Sequence, residues 1–251
     1  MALADKGIPT TIITGRLFSG TRHAAEVIGA SGAVACMEGC HLVDATSGRD
    51  LLHGGIAGPT ASEVRAMLAD FGAASFLFAN DRIFYDARGV PHLSYVRTWS
   101  VDHIEIDRVV EHPQWEHERG LTAIVCVGSQ ADIQALDAQI KRTLGHELYS
   151  TSFPARHQDG AAPTWGMVVR SAGYSKGTAV RWLAAHHGID PSEVVVVGDW
   201  YNDIPMFEVA GRSFVMAQAP EDVKRAATDR LKADAVSGGG IAEAAKRAGM
   251  L

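Results

Sequence analysis

A chain of 251 residues, 47% hydrophobic and 21% charged, is long enough to bury a full core as one domain or as a domain with an insertion. Its formal net charge of -6 comes with Lys and Arg scattered among acids, which leaves no electrostatic footprint for nucleic acid or an anionic membrane surface and points to small-molecule partners. The cysteines, Cys36, Cys40 and Cys126, cannot all pair with one another, and a chain this apolar needs no disulfide framework, so a reducing cytoplasm is expected.

The opening MALADKGIPTTII meets Asp5 and a Lys6-Gly7 break before any apolar run long enough for a signal peptide or a membrane span. After a short amphipathic stretch ending at Gly7, Ile8 to Ile13 is expected as a β-strand, Thr14-Gly15-Arg16 as a loop, and the residues through Ile28 as a helix. From about Leu51 to Trp165 the pattern is irregular: a helix over 60–70, paired short strands near 75–79 and 82–85, and a helix near 130–143 flanked by strands. That mixture reads as an α+β insertion.

Beyond it, Ser175 is placed as the N-cap of a helix from Lys176 to about His187, with Gly188 as C-cap and Pro191 opening the next turn. The run Val194-Val195-Val196-Val197 lacks polar alternation and suits a strand buried on both faces of a parallel sheet. A loop over 198–202, a short helix over 204–210, a strand over 213–216, a helix over 220–227, a strand over 233–236 and a helix over 241–248 continue the alternation. Both ends of the chain therefore read as doubly wound α/β. Gly238-Gly239-Gly240 reads as a loop before the last helix, since neither Lys nor Ser/Thr follows in P-loop fashion.

Gly198-Asp199-Trp200-Tyr201-Asn202-Asp203-Ile204-Pro205-Met206 places two carboxylates and a carboxamide on the loop leaving a buried strand, where open α/β sheets bind ligands. Hard oxygens this close together suit Mg²⁺, which keeps several waters and shares its octahedron with substrate phosphate. On composition alone, a polar turn with Asp203 capping a helix explains the same residues.

The nine residues GDWYNDIPM closely resemble the fourth motif, Gly-Asp-x-x-Asn-Asp-x-x-Met, of haloacid dehalogenase-like phosphatases of the large-cap branch, subclass IIB. The resemblance implies that Asp199 is a magnesium ligand and that Asn202 and Asp203 complete or orient that shell. Ile12-Ile13-Thr14-Gly15-Arg16 is similar to the second motif, whose threonine hydroxyl donates to the transferring phosphoryl group. Thr14 serves equally as an N-cap at a helix N-terminus, and Arg16 is either a substrate contact or an exposed helix-start arginine. Lys176 in Tyr174-Ser175-Lys176-Gly177 is similar to the third motif, whose lysine offsets negative charge on the nucleophile and phosphoryl oxygens. A cation at a helix N-terminus works against the macrodipole, so its placement wants a reason.

The implied fold is a Rossmann-like core with a parallel sheet, residues 1–50 and 166–251, and an inserted α+β cap, residues 51–165. The resemblance covers the core only. Within the cap, His103, Glu105, Asp107, His112 and His117 match no zinc spacing and read mostly as a solvated surface. His186 and His187 end a helix, where partial positive charge is favourable. Trp200 and Tyr201 either wall the substrate pocket or pack against the neighbouring cap.

The sequence departs from the family at its first motif. No Asp-x-Asp occurs among the 251 residues, so the nucleophilic aspartate and the general acid/base two positions on are absent, and Asp5, ahead of the second-motif strand, is no substitute. The strand that would carry them would lie between residues 8–13 and 194–197. The expectation is a chain beginning at an internal methionine of a longer protein. Failing that, the two flanking strands either pair directly or leave an aggregation-prone gap. The implied activity is Mg²⁺-dependent hydrolysis of a small phosphorylated metabolite such as a sugar phosphate. Thr14 and Lys176 are its catalytic residues, Gly15, Arg16 and Asn202 add substrate contacts, and the 251 residues alone are expected to be inactive. A catalytically dead phosphometabolite-binding protein and a phosphomutase on the same core are the alternatives.

Overall fold

The computed structural model describes residues 2–155 and 164–251. The chain divides into two compact units, Met1–Thr14 with His23–Leu51 and Tyr174–Leu251, and Gly15–Arg22 with Leu52–Gly173. The strand Trp165–Ser171 is hydrogen-bonded within the sheet of the second unit, so the expected boundary at 165/166 cuts through a strand.

In the first unit Val195–Gly198 pairs in parallel with Arg212–Val215, which pairs in parallel with Asp229–Arg230. Alternate side chains leave this sheet on opposite faces. Val196 and Val215 pack with Val180, Met206, Phe207 and Val223, while Val195 and Val197 pack with Phe214, Leu231 and Ala244. Two apolar faces explain why the valine run shows no polar alternation. The helix Lys176–His187 has the expected ends: Ser175 and Thr178 form a reciprocal capping box, and Gly188 closes it at φ 68°. Further helices span Ile204–Phe207, Glu221–Ala226 and Gly240–Arg247.

Two strand expectations fail. Residues 233–236 form no strand; the third parallel strand is Asp229–Arg230, where the Asp229 carboxylate is gripped by Arg212 and Arg247. Ile8–Ile13 is not a regular strand either, although Ile13 bridges Ala35 in parallel. Ser31 N–H donates to Thr10 O, Ala35 N–H to Ile12 O and Thr14 N–H to Ala35 O, so this segment runs beside residues 31–35. Val195–Gly198 ends its own sheet. Among the described residues the two do not pair and no strand lies between them, although Ile13 packs against the cluster that contains Val196. The helix expected after the 14–16 loop is shorter as well, spanning Arg22–Ile28.

The second unit is built on a six-stranded sheet in the order His103–Glu105, Arg82–Tyr85, Ala74–Ala79, Ala123–Gly128, Trp165–Ser171, Leu148–Pro154. The outer pair of His103–Glu105 and Arg82–Tyr85 is parallel and the rest antiparallel. Asn80 and Asp81, at φ 50° and 61°, make the tight turn of the 74–85 hairpin; Asn and Asp are the non-glycine residues that best tolerate such angles. Gly58–Asp70 and Gln130–Leu144 supply Val64, Leu68, Ile133, Leu136 and Ile140 to one core with Leu77, Ile124 and Val169. Asp137 leaves that core to accept from Lys141, Ser150 and Ser152. Burial pushes its carboxyl up, and the three donors together outweigh burial and hold it below its ordinary value. No described helix is long and apolar enough to cross a membrane.

Candidate functional site

The first unit brings Thr14, Lys176, Asp199, Asn202 and Asp203 into one body, while Gly15 and the exposed Arg16 belong to the second unit. The organising contact is a buried ion pair. Lys176 Nζ donates to Asp203 Oδ1 at 2.6 Å, with the two side chains 10% and 4% exposed. The other oxygen, Asp203 Oδ2, accepts from the backbone N–H of Asp199 at 2.7 Å and of Trp200 at 2.9 Å. One carboxylate thus folds the loop back on itself and neutralises the lysine at the helix start, which supplies the reason that its placement demanded.

Two glycines make this closeness possible. A Cβ on Gly198 would lie 2.6 Å from Asp203 Oδ2, and one on Gly177 would lie 2.3 Å from the carbonyl oxygen of Pro205. The glycine that opens the Gly-Asp loop and the one that follows Lys176 are therefore steric requirements.

The remaining loop side chains are tethered outward. Asp199 is half-buried, and its Oδ2 accepts from Gln218 Nε2 at 2.9 Å. Tyr201 donates its hydroxyl to Asp222 at 3.1 Å, a bond that pushes the phenol's pKa up. Asn202 Nδ2 donates to Glu38 Oε1 at 2.9 Å. Trp200 and Tyr201 are 51% and 47% exposed, with rings edge-on at 5.4 Å.

Thr14 stands at the carboxyl end of its extended segment, and its carbonyl accepts from Glu38 N–H at 2.9 Å. Glu38, Gln218 and Asp222 are site neighbours without a sequence signal, because each reaches the loop from a distant part of the chain.

Both oxygens of Asp203 have hydrogen-bond donors, and Asp199 has one on Oδ2. Among the described residues no group of three or more His, Cys, Asp or Glu is arranged around a metal position. The carboxylates of Asp199 and Asp203 and the carboxamide of Asn202 are hard oxygen donors, the chemistry that suits a largely hydrated Mg²⁺ rather than a Cys/His zinc cage. His103, His112 and His117 share no such arrangement; His112 Nδ1 accepts from Gln114 N–H and His117 Nδ1 from Arg119 N–H.

The buried lysine–aspartate pair and its Gly-Asp loop sit at the carboxyl end of a parallel strand, where open α/β sheets bind ligands. The chain belongs to the haloacid dehalogenase-like hydrolases, whose family model matches residues 1–244. It is similar to a phosphoglycolate phosphatase of Archaeoglobus fulgidus, 39% identical over 83 residues, which are 33% of this chain and 36% of that protein. An HMP-PP phosphatase of Citrobacter koseri is 27% identical over 218 residues, 86% of this chain and 74% of that protein. Matches to the first curated relatives thus span about a third of their length or less. Among solved structures, a subclass IIB sugar phosphatase superposes with a TM-score of 0.71 at 17% identity, covering 100% of this chain and 89% of that one. That likeness shows the shared fold.

Proposed function

We propose that the chain belongs to a phosphate-monoester hydrolase acting on a small phosphorylated metabolite, a sugar phosphate foremost, in the cytoplasm. The first unit is its core and the second its inserted cap. The observation that carries this reading is the Lys176–Asp203 pair locking the loop that presents Asp199. Asp199 and Asn202 would hold Mg²⁺, whose contribution when bound is to offset charge on the phosphoryl oxygens. Thr14 would donate its hydroxyl to a phosphoryl oxygen, and Lys176 would supply positive charge beneath it. Phosphatase names among relatives of two substrate types support the reaction class.

These groups bind and orient; none of them is the nucleophilic aspartate. No Asp-x-Asp occurs in the sequence, and this observation favours a second reading in which the 251 residues bind a phosphorylated ligand without turning it over.

Phosphate release from a panel of sugar phosphates and an aryl phosphate, with and without Mg²⁺, separates the two. The 251-residue chain is expected to be silent, and a polypeptide extended upstream with an Asp-x-Asp strand is expected to turn over in a Mg²⁺-dependent way that Asp199→Asn abolishes. Silence from both would leave the binding reading. Turnover by the 251 residues alone would mean that another carboxylate is the nucleophile.

A further inference from the structure

Glu38 sits in the turn between the strands Ala33–Cys36 and His41–Asp44. Met37 and Glu38 adopt φ 46° and 60°, two successive left-handed residues that are neither glycine nor asparagine. Backbone strain of this kind persists only where surrounding structure over-determines it, and it concentrates at functional positions. The surroundings are specific here. Glu38 N–H donates to Thr14 O, and Gly39, at φ 95°, lies so close to the next helix that a Cβ would meet Ser175 O at 2.7 Å. The strained turn is thereby fastened to the segments that carry Thr14 and Lys176. From it the half-buried Glu38 side chain reaches Asn202, 164 positions away in sequence.

We propose that Glu38 is a specificity-determining residue: its carboxylate at the edge of the phosphate site disfavours substrates with a second anionic group beside the phosphate and accepts hydroxyl donors from polyol leaving groups. The inference rests on the phosphate-site reading above and deepens it. An ionised carboxylate is an acceptor only. A hydroxyl on the leaving group can donate to it, whereas a carboxylate or second phosphate in the same place brings like charges together without a proton between them. One oxygen of Glu38 is engaged by Asn202, and the group retains acceptor capacity for a ligand. Sugar-like substrates are thereby separated from compounds such as phosphoglycolate, in which a carboxylate adjoins the phosphate-bearing carbon.

Non-hydrolysable phosphonates test this without requiring turnover. Calorimetric binding of methylphosphonate, 2-hydroxyethylphosphonate and phosphonoacetate to the full chain in Mg²⁺ should rank the hydroxylated compound about tenfold or more above the carboxylated one. Glu38→Gln keeps an acceptor for Asn202 while removing the charge, and it should shrink that ratio to about threefold or less. Glu38→Asn, better suited to the left-handed angle, should do the same and guards against a folding artefact. Equal binding of both compounds by the native chain, or a ratio unchanged in both variants, would overturn the role of Glu38 and leave the phosphate site standing. Failure of every phosphonate to bind, methylphosphonate included, would remove the phosphate-site reading and this inference with it.

Discussion

Asp203 supports more of the site than any other side chain: one oxygen neutralises Lys176 and the other ties down two backbone N–H groups. Removing one member of a buried, hydrogen-bonded ion pair leaves the other uncompensated, at a cost of about 3–5 kcal/mol. Asp203→Ala should therefore lower unfolding stability by about that amount, read from urea midpoints at unchanged m. Lys176→Met should cost less, because Asp203 keeps its two backbone donors. Equal and negligible effects would show that the pair is not closed in solution. Asp229 provides a pH signature. Hydrogen bonding from Arg212, opposed by burial and aided by Thr228 and the charges of Arg212 and Arg247, lowers its carboxyl from 3.8 to about 2. A depressed folded-state value gives stability that is present above the unfolded value and lost as pH falls through the folded one. The stability advantage of the native chain over Asp229→Asn should accordingly persist at neutral pH and shrink between pH 3.8 and about 2; a constant gap in denaturation curves across that window would contradict the linkage.

Among elements, the edge position of Val195–Gly198 has a measurable consequence. Arg212–Val215 is flanked on both sides by parallel strands, while Val195–Gly198 has a partner on one side. Backbone groups at a sheet edge open to solvent by smaller fluctuations than those in its centre. Amide hydrogen exchange should therefore be faster over Val195–Gly198 than over Arg212–Val215, and the reverse order would mean that the open edge is covered in solution. The elements that the sequence disclosed best carry their signals locally. Lys176–His187 was bounded by a capping serine and a glycine that proves left-handed, and the 74–85 hairpin was marked by its two short apolar runs. Ile8–Ile13 has the composition of a strand and, among the described residues, makes a single bridge from Ile13 to Ala35, so its propensity is only partly realised. The strand expected at 233–236 instead forms at Asp229–Arg230, where the grip of Arg212 and Arg247 on Asp229 lies outside the reach of any local window.

At the level of the whole molecule, the division of labour between sequence and structure follows from how far each interaction reaches. The amino-acid sequence by itself determined the α/β class, the helix that presents Lys176 and the Gly-Asp-x-x-Asn-Asp loop, because caps, glycines and apolar periodicity act over a few residues. It also marked Thr14, Lys176, Asp199, Asn202 and Asp203 as a set. What it left open was their division into roles. Only the tertiary structure decided that Asp203 meets Lys176 and the loop backbone while Asp199 meets Gln218, and that Glu38 enters beside Asn202 from a strained turn far away in the chain. Those outcomes depend on long-range hydrogen bonds and on close backbone approaches at Gly39, Gly177 and Gly198. Such contacts exist only once distant segments have packed, so no pattern of neighbouring residues could have encoded them.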